Sequence, residues 1–135
     1  MMREAPALAE YERGLMTEQP YALDEERRQV VLRSIQDVCT KRTWPLIAAH
    51  IREEHAHAVM DLDSKPERAL GDLKAYSTIG LKSAGLDVTR QKRWANGGST
   101  IPLRDRPALL KAIAYVIEGQ GQPMAVYLDP EFEGS

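Results

Sequence analysis

The chain has 135 residues, of which 43% are apolar and 28% charged, the size and composition of one globular domain rather than of a disordered or fibrous chain. No stretch approaches the ~18 consecutive apolar residues of a membrane-spanning helix. Residues 1–10 carry Arg3, Glu4 and Glu10 where a signal peptide would have an apolar segment, and Cys39 stands alone, which excludes an internal disulfide framework and fits a reducing cytosol.

The formal net charge of −2 is unevenly spread. Between residues 64 and 106, nine basic residues stand against four acidic ones, and the acid collects in the N-terminal third and in Asp129, Glu131 and Glu133. The asymmetry points to a local basic surface, although an ordinary solvated face gives the same pattern.

Residues 1–20 contain Pro6, Gly14 and Pro20 without a sustained period and read as an N-terminal arm or a short helix. Tyr21–Leu23 is the expected first strand. Asp24 is a good N-cap with Glu25 and Glu26 behind it, and Val31, Leu32, Ile35, Val38 and Cys39 repeat at helical spacing, so a helix is expected from Asp24 to about Lys41. Trp44–Ile51 and His55–Leu62 read as a hairpin of two strands around Arg52-Glu53-Glu54. In the second strand, His55, His57, Val59 and Asp61 alternate with Ala56, Ala58, Met60 and Leu62.

Ser64-Lys65-Pro66-Glu67 has the form of a capping box opening a second helix, whose inward stripe is Ala69, Leu70, Leu73, Ser77, Gly80, Leu81 and Ala84. Gly85 stops it. A basic loop follows over 86–104, with a short strand at Ile101–Leu103. Asp105 caps a third helix with Leu109, Leu110, Ile113, Val116 and Ile117 inward, and Met124–Tyr127 is a last short strand. The order β-α-β-β-α-loop-α-β predicts an α+β fold. Its form is a ferredoxin-like antiparallel sheet with helices on one face plus an added C-terminal helix, over 21–128, before an acidic tail at 129–135.

The feature with most chemical content is His55-Ala56-His57. Residues i and i+2 of a strand project from one face about 7 Å apart, within reach of one metal ion; two surface histidines on an open sheet face give the same pattern. His50 is a possible neighbour across the hairpin. Tyr115 sits off the apolar stripe of the third helix, as a nucleophile or as an amphipathic surface residue, and Gln120 at the helix end carries an oxygen suited to a hard cation. Tyr76 competes for the nucleophile's role but borders an inward stripe. In the basic segment, Lys74, Lys82, Lys92, Arg93 and Arg104 are candidate phosphate contacts and Trp94 a candidate stacking platform for a base.

Together, His55-Ala56-His57 on a strand, the segment Trp94-Ala95-Asn96-Gly97-Gly98-Ser99-Thr100 and the helix end from Tyr115 to Pro123 resemble the single-tyrosine HUH transposases, the small enzymes of bacterial insertion sequences and their REP-associated relatives. The resemblance implies that His55, His57 and Gln120 hold Mg²⁺ or Mn²⁺ and that Tyr115 attacks a DNA phosphodiester to leave a 5′-phosphotyrosine. It also implies single-stranded or hairpin DNA as partner, a homodimer, and a cytoplasmic bacterial protein that joins the nucleoid when bound to DNA. Gln120 lies five residues after the tyrosine where the family's arrangement has four, which keeps Glu118 and Gln122 as alternative ligands. A domesticated, catalytically inactive DNA-binding module of the same fold is the alternative function.

Overall fold

The computed structural model describes residues 6–13, 23–63, 65–90 and 93–133. In chain order the elements are β1 (Pro6–Glu12), α1 (Glu25–Arg42), β2 (Leu46–Ile51), β3 (His55–Asp61), α2 (Pro66–Ser83), β4 (Ser99–Pro102), α3 (Arg106–Glu118) and β5 (Ala125–Leu128). The five strands form one antiparallel sheet in the order β4-β1-β3-β2-β5.

The sheet is packed on both faces. Ala7, Ala9 and Tyr11 of β1, Ala49 and Ile51 of β2, and Ala56, Ala58 and Met60 of β3 meet Val31, Ile35 and Val38 of α1 and Ala69, Leu70 and Leu73 of α2. On the opposite face, Leu8, Ile47, Ala48 and Val59 meet Ala112, Ile113 and Val116 of α3. The added helix thus covers the face that α1 and α2 leave open. A register shift between Leu46 and Ala48 in β2 seats Ile47 and Ala48 in the same α3-side core.

Helix ends follow local chemistry. Asp24 accepts from the Arg27 N–H at 2.9 Å and Asp105 from the Ala108 N–H at 2.8 Å, each satisfying an orphan donor of the first turn. The capping box expected for α2 is replaced. Lys65 is the N-cap residue, without a side-chain cap, and Ser64 lies outside the described residues.

The first strand is also corrected. Residues 6–12, expected as an arm or short helix, are β1, which pairs along its whole length with β3, from Pro6 opposite Asp61 to Glu12 opposite His55. Of the strand expected at 21–23, Tyr21 and Ala22 lie outside the described residues. Leu23 is fully buried ahead of the α1 cap, its N–H bonded to the Glu53 carbonyl at 3.0 Å. Within the acidic tail, the Asp129 N–H binds the Ile47 carbonyl at 2.8 Å, a 3₁₀ turn follows at Pro130–Phe132, and Phe132 packs on the α3-side core. Cys39 is buried, and that burial pushes its thiol up to about 12, which makes it a packing residue rather than a nucleophile.

Candidate active site

The α3-side face of the sheet carries the polar cluster. The β1–β3 ladder sets Glu10 opposite His57 and Glu12 opposite His55, so the pattern Glu-x-Glu on one strand is matched to His-x-His on the next. His57 Nδ1 lies 2.6 Å from Glu10 Oε2 and His55 Nδ1 lies 3.5 Å from Glu12 Oε2. The two imidazole planes are inclined at 29°, their ring centroids 6.0 Å apart. Tyr115 comes down from α3, its ring edge-on to His57 at 5.9 Å, and its hydroxyl donates to the same Glu10 Oε2 at 2.8 Å. One carboxylate oxygen therefore holds both the tyrosine and the inner histidine.

Burial divides the two histidines. His55 is half exposed, whereas His57 is 4% exposed and burial lowers its pKa, opposed by the Glu10 carboxylate. The hydrogen bond to Glu10 is the largest influence raising the Tyr115 pKa above 10.0, joined by burial and the carboxylate's charge and opposed by the Gln120 amide.

His50 has a different task. It faces His57 across the β2–β3 ladder and is fully buried. Its Nε2 accepts from the Met124 N–H at 3.0 Å, so its Nδ1 carries the proton and donates to the Val116 carbonyl, also at 3.0 Å. With both nitrogens committed, His50 pins the end of α3 next to Tyr115 and has no lone pair for a metal. Burial lowers its pKa from 6.5. The unfolded state then binds the extra proton first, so this contribution to stability is full above 6.5 and is lost as pH falls from there through the lowered folded value. Urea unfolding at pH 7.5 and at pH 5.5 should show the lower midpoint at pH 5.5; equal midpoints would contradict this assignment.

The far wall of the cleft is the segment 95–99. The Ala95 N–H binds the Glu12 carbonyl at 2.9 Å, and Lys74 Nζ donates to the carbonyls of Ala95, at 3.0 Å, and Gly97. Gly98 has φ +125°, and a Cβ placed on it would stand 2.7 Å from the Glu10 carbonyl oxygen and 2.8 Å from Leu70 Cδ2. Backbone on one side and a core leucine on the other leave no room to yield. Gly98→Ala should cost about 2 kcal/mol or more, and thermal unfolding checks it; an unchanged melting temperature would mean that the wall is not seated against β1.

The resulting cleft, about 330 Å³, is lined by Glu10, Glu12, His55, His57, Tyr115 and Gln120 with the 95–99 wall. No family model matches this chain, and no curated protein does. Among solved structures it is similar to a REP-associated tyrosine transposase bound to a REP hairpin, with a TM-score of 0.65 and 14% identity, over 87% of this chain and 67% of that one. The chain has the fold of a tyrosine transposase.

On this transposase fold the residues singled out from the sequence separate into two groups. His55, His57, Tyr115 and Gln120 come together in the cleft, with both histidines on one sheet face. The Gln120 amide nitrogen donates to the Tyr115 backbone carbonyl at 3.1 Å, folding the side chain back over the end of α3. Tyr76 packs against the α1–α2 core, on the other face of the sheet.

Among the described residues, none of the candidate nucleic-acid contacts lines the cleft. Trp94 is corrected from a base-stacking platform to a core residue: it is 8% exposed, packs edge-on to Tyr11 at 5.1 Å, and donates from Nε1 to Thr78 Oγ1 at 3.0 Å. Arg93 is corrected likewise; it is 3% exposed, and its guanidinium donates to the carbonyls of Arg90, at 3.1 Å, and Asp87. Lys74 reaches the site only as the clamp of its wall. Lys82 is exposed at the end of α2, Arg104 lines a separate cavity beside Pro6 and Asp61 at the opposite end of the β1–β3 ladder, and Lys92 lies outside the described residues.

Glu10 and Glu12 are the site residues that sequence reasoning missed. Their i, i+2 spacing repeats that of the histidines, but the signal is visible only once residues 6–12 are read as a strand. His57 Nε2 is buried with no hydrogen-bond partner while Nδ1 is engaged by a carboxylate, the arrangement of a metal-ligating imidazole with its outer partner in place. Among the described residues no three His, Cys, Asp or Glu side chains are gathered for a metal. The two imidazoles would therefore need Gln120, water or a substrate oxygen to complete the shell.

Proposed function

We propose that this protein cleaves and transfers strands of single-stranded or hairpin DNA, with Tyr115 as nucleophile and His55, His57 and Gln120 as the seat of Mg²⁺ or Mn²⁺. The observation that carries the reading is the shared Glu10 Oε2, which ties the Tyr115 hydroxyl to the imidazole of His57 in one cleft. The neighbouring structure, a tyrosine transposase holding a DNA hairpin, supports the substrate class. A homodimer is part of the same reading.

In this chemistry Tyr115 Oη attacks the scissile phosphorus. An Oη–P bond forms and the P–O3′ bond breaks, giving a 5′-phosphotyrosine and a 3′-hydroxyl that takes its proton from water. The phenolic proton departs along its existing hydrogen bond toward Glu10. A divalent ion held by the imidazoles would polarise the phosphate and offset its developing charge. Because the adduct keeps the energy of the broken bond, a second 3′-hydroxyl can displace Tyr115 and rejoin the strand without a nucleotide cofactor.

The test is a denaturing gel of the full chain with labelled hairpin oligonucleotides bearing single-stranded flanks, in Mn²⁺ and in EDTA. A covalent adduct that needs Mn²⁺ is expected. Hairpin binding without an adduct, across varied flanks, would overturn the enzyme in favour of a DNA-binding module.

A further inference from the structure

We propose that the Glu10-Tyr11-Glu12 segment of β1 is a second motif of the site: besides receiving the Tyr115 proton, Glu10 sets the tautomer and orientation of His57, and Glu12, at longer range, helps to orient His55. The inference rests on the metal-dependent reading above, and it extends that reading to two residues outside the histidine motif, the tyrosine and the glutamine.

Antiparallel pairing sets Glu10 against His57 and Glu12 against His55, and the alternation of side chains sends all four to the α3 side. A carboxylate accepts hydrogen bonds and does not donate them, so the 2.6 Å contact places the His57 proton on Nδ1, and the buried Nε2 meets no acceptor for a second one. That leaves a lone pair on Nε2, the buried nitrogen without a hydrogen-bond partner. An imidazole free to choose would divide between two tautomers, and only one of them can ligate through Nε2. The carboxylate also makes the ring a better donor to a cation.

The two pairs are unequal. Glu10 is close and shielded, the His57 side chain being 5% exposed and that of Glu10 23%. Glu12 and His55 are both about half exposed at 3.5 Å, where water competes for each group. Glu10 should therefore dominate. It has a further partner that Glu12 lacks: Tyr115 donates to the same oxygen that receives His57. The nucleophile is thereby positioned relative to the inner imidazole, so a shift of Glu10 disturbs both together.

Three readouts on the full chain test this, two of them independent of catalysis. Long-range ¹H–¹⁵N spectra of the metal-free protein should show His57 protonated on Nδ1. In Glu10→Ala the ring should become a mixture of tautomers, and Mn²⁺ affinity, followed by the loss of the free-ion electron paramagnetic resonance signal, should fall roughly 10–100-fold. Glu10→Gln keeps an acceptor oxygen but not the charge; it should retain the tautomer and lose less affinity, which separates positioning from misfolding. Glu12→Ala should lose less than Glu10→Ala. The third readout is adduct formation, which should fall in Glu10→Ala beyond what added Mn²⁺ restores, because Tyr115 has also lost its tether and the acceptor of its proton. A wild-type His57 protonated on Nε2, or unchanged tautomer and Mn²⁺ affinity in Glu10→Ala, overturns the proposal. Absence of an adduct in the wild type, with tautomer and affinity behaving as stated, would instead count against strand transfer and leave the positioning role standing.

Discussion

Tyr115→Phe should abolish the covalent protein–DNA adduct while leaving the fold and hairpin binding in place. Phenylalanine keeps the ring that lies edge-on to His57 and removes only the hydroxyl. Tyr115 is 44% exposed, so little core packing depends on it. What disappears is one hydrogen bond to Glu10 and the atom that would attack phosphorus. Loss of a covalent nucleophile lowers the rate by on the order of 10³-fold or more, which a denaturing gel reads as loss of the shifted band. Tyr76→Phe is the control: Tyr76 packs on the α1–α2 side of the sheet and should leave the adduct unchanged. An adduct that survives Tyr115→Phe and vanishes in Tyr76→Phe would reverse the assignment.

The second large effect is on stability. Trp94 lies in the basic segment and looks from the sequence like a platform for an unpaired base. In the fold it fills the core between Tyr11 of β1 and Thr78 of α2, and its backbone forms a β-bridge with Arg13. Trp94→Ala removes that volume and a part-buried hydrogen bond, and should cost about 3–5 kcal/mol, or roughly 10–20 °C of melting temperature. Trp94→Phe keeps most of the packing and forfeits the bond to Thr78, a loss of about 1 kcal/mol. Calorimetry of the two variants distinguishes the roles: a Trp94→Ala protein with wild-type melting temperature but weakened DNA binding would restore the stacking role and contradict the packing described here.

Most local signals were legible in the sequence, the cap of α2 excepted. Asp24 and Asp105 cap α1 and α3 as their chemistry dictates. The hairpin is legible because two apolar runs flank the polar break Arg52-Glu53-Glu54, and strand geometry alone places positions 55 and 57 on one face. Tyr115 stood out because it lies off the apolar stripe of α3, and Gln120 because it follows the end of that helix.

What the sequence by itself determined is an α+β domain with its helices, its hairpin and the pairing of two imidazoles on one strand face, since each depends on periodicity and caps within a few residues. The tertiary structure decided the rest. Residues 6–12 form a strand although alanine favours helices, because seven residues of β3 are available to pair with them across about fifty residues of chain. That long-range pairing alone brings Glu10 and Glu12 to the histidines. It likewise decides that α3 crosses the far face of the sheet, so that Tyr115 meets the cluster. The buried Trp94 and Arg93 follow the same rule: a charge or an indole in a basic loop reads as surface until the strand beneath it is known, and here β1 supplies Tyr11 for Trp94 to pack against. Hydrogen bonding between strands and burial between layers are summed over the whole domain, and no window of the sequence contains that sum.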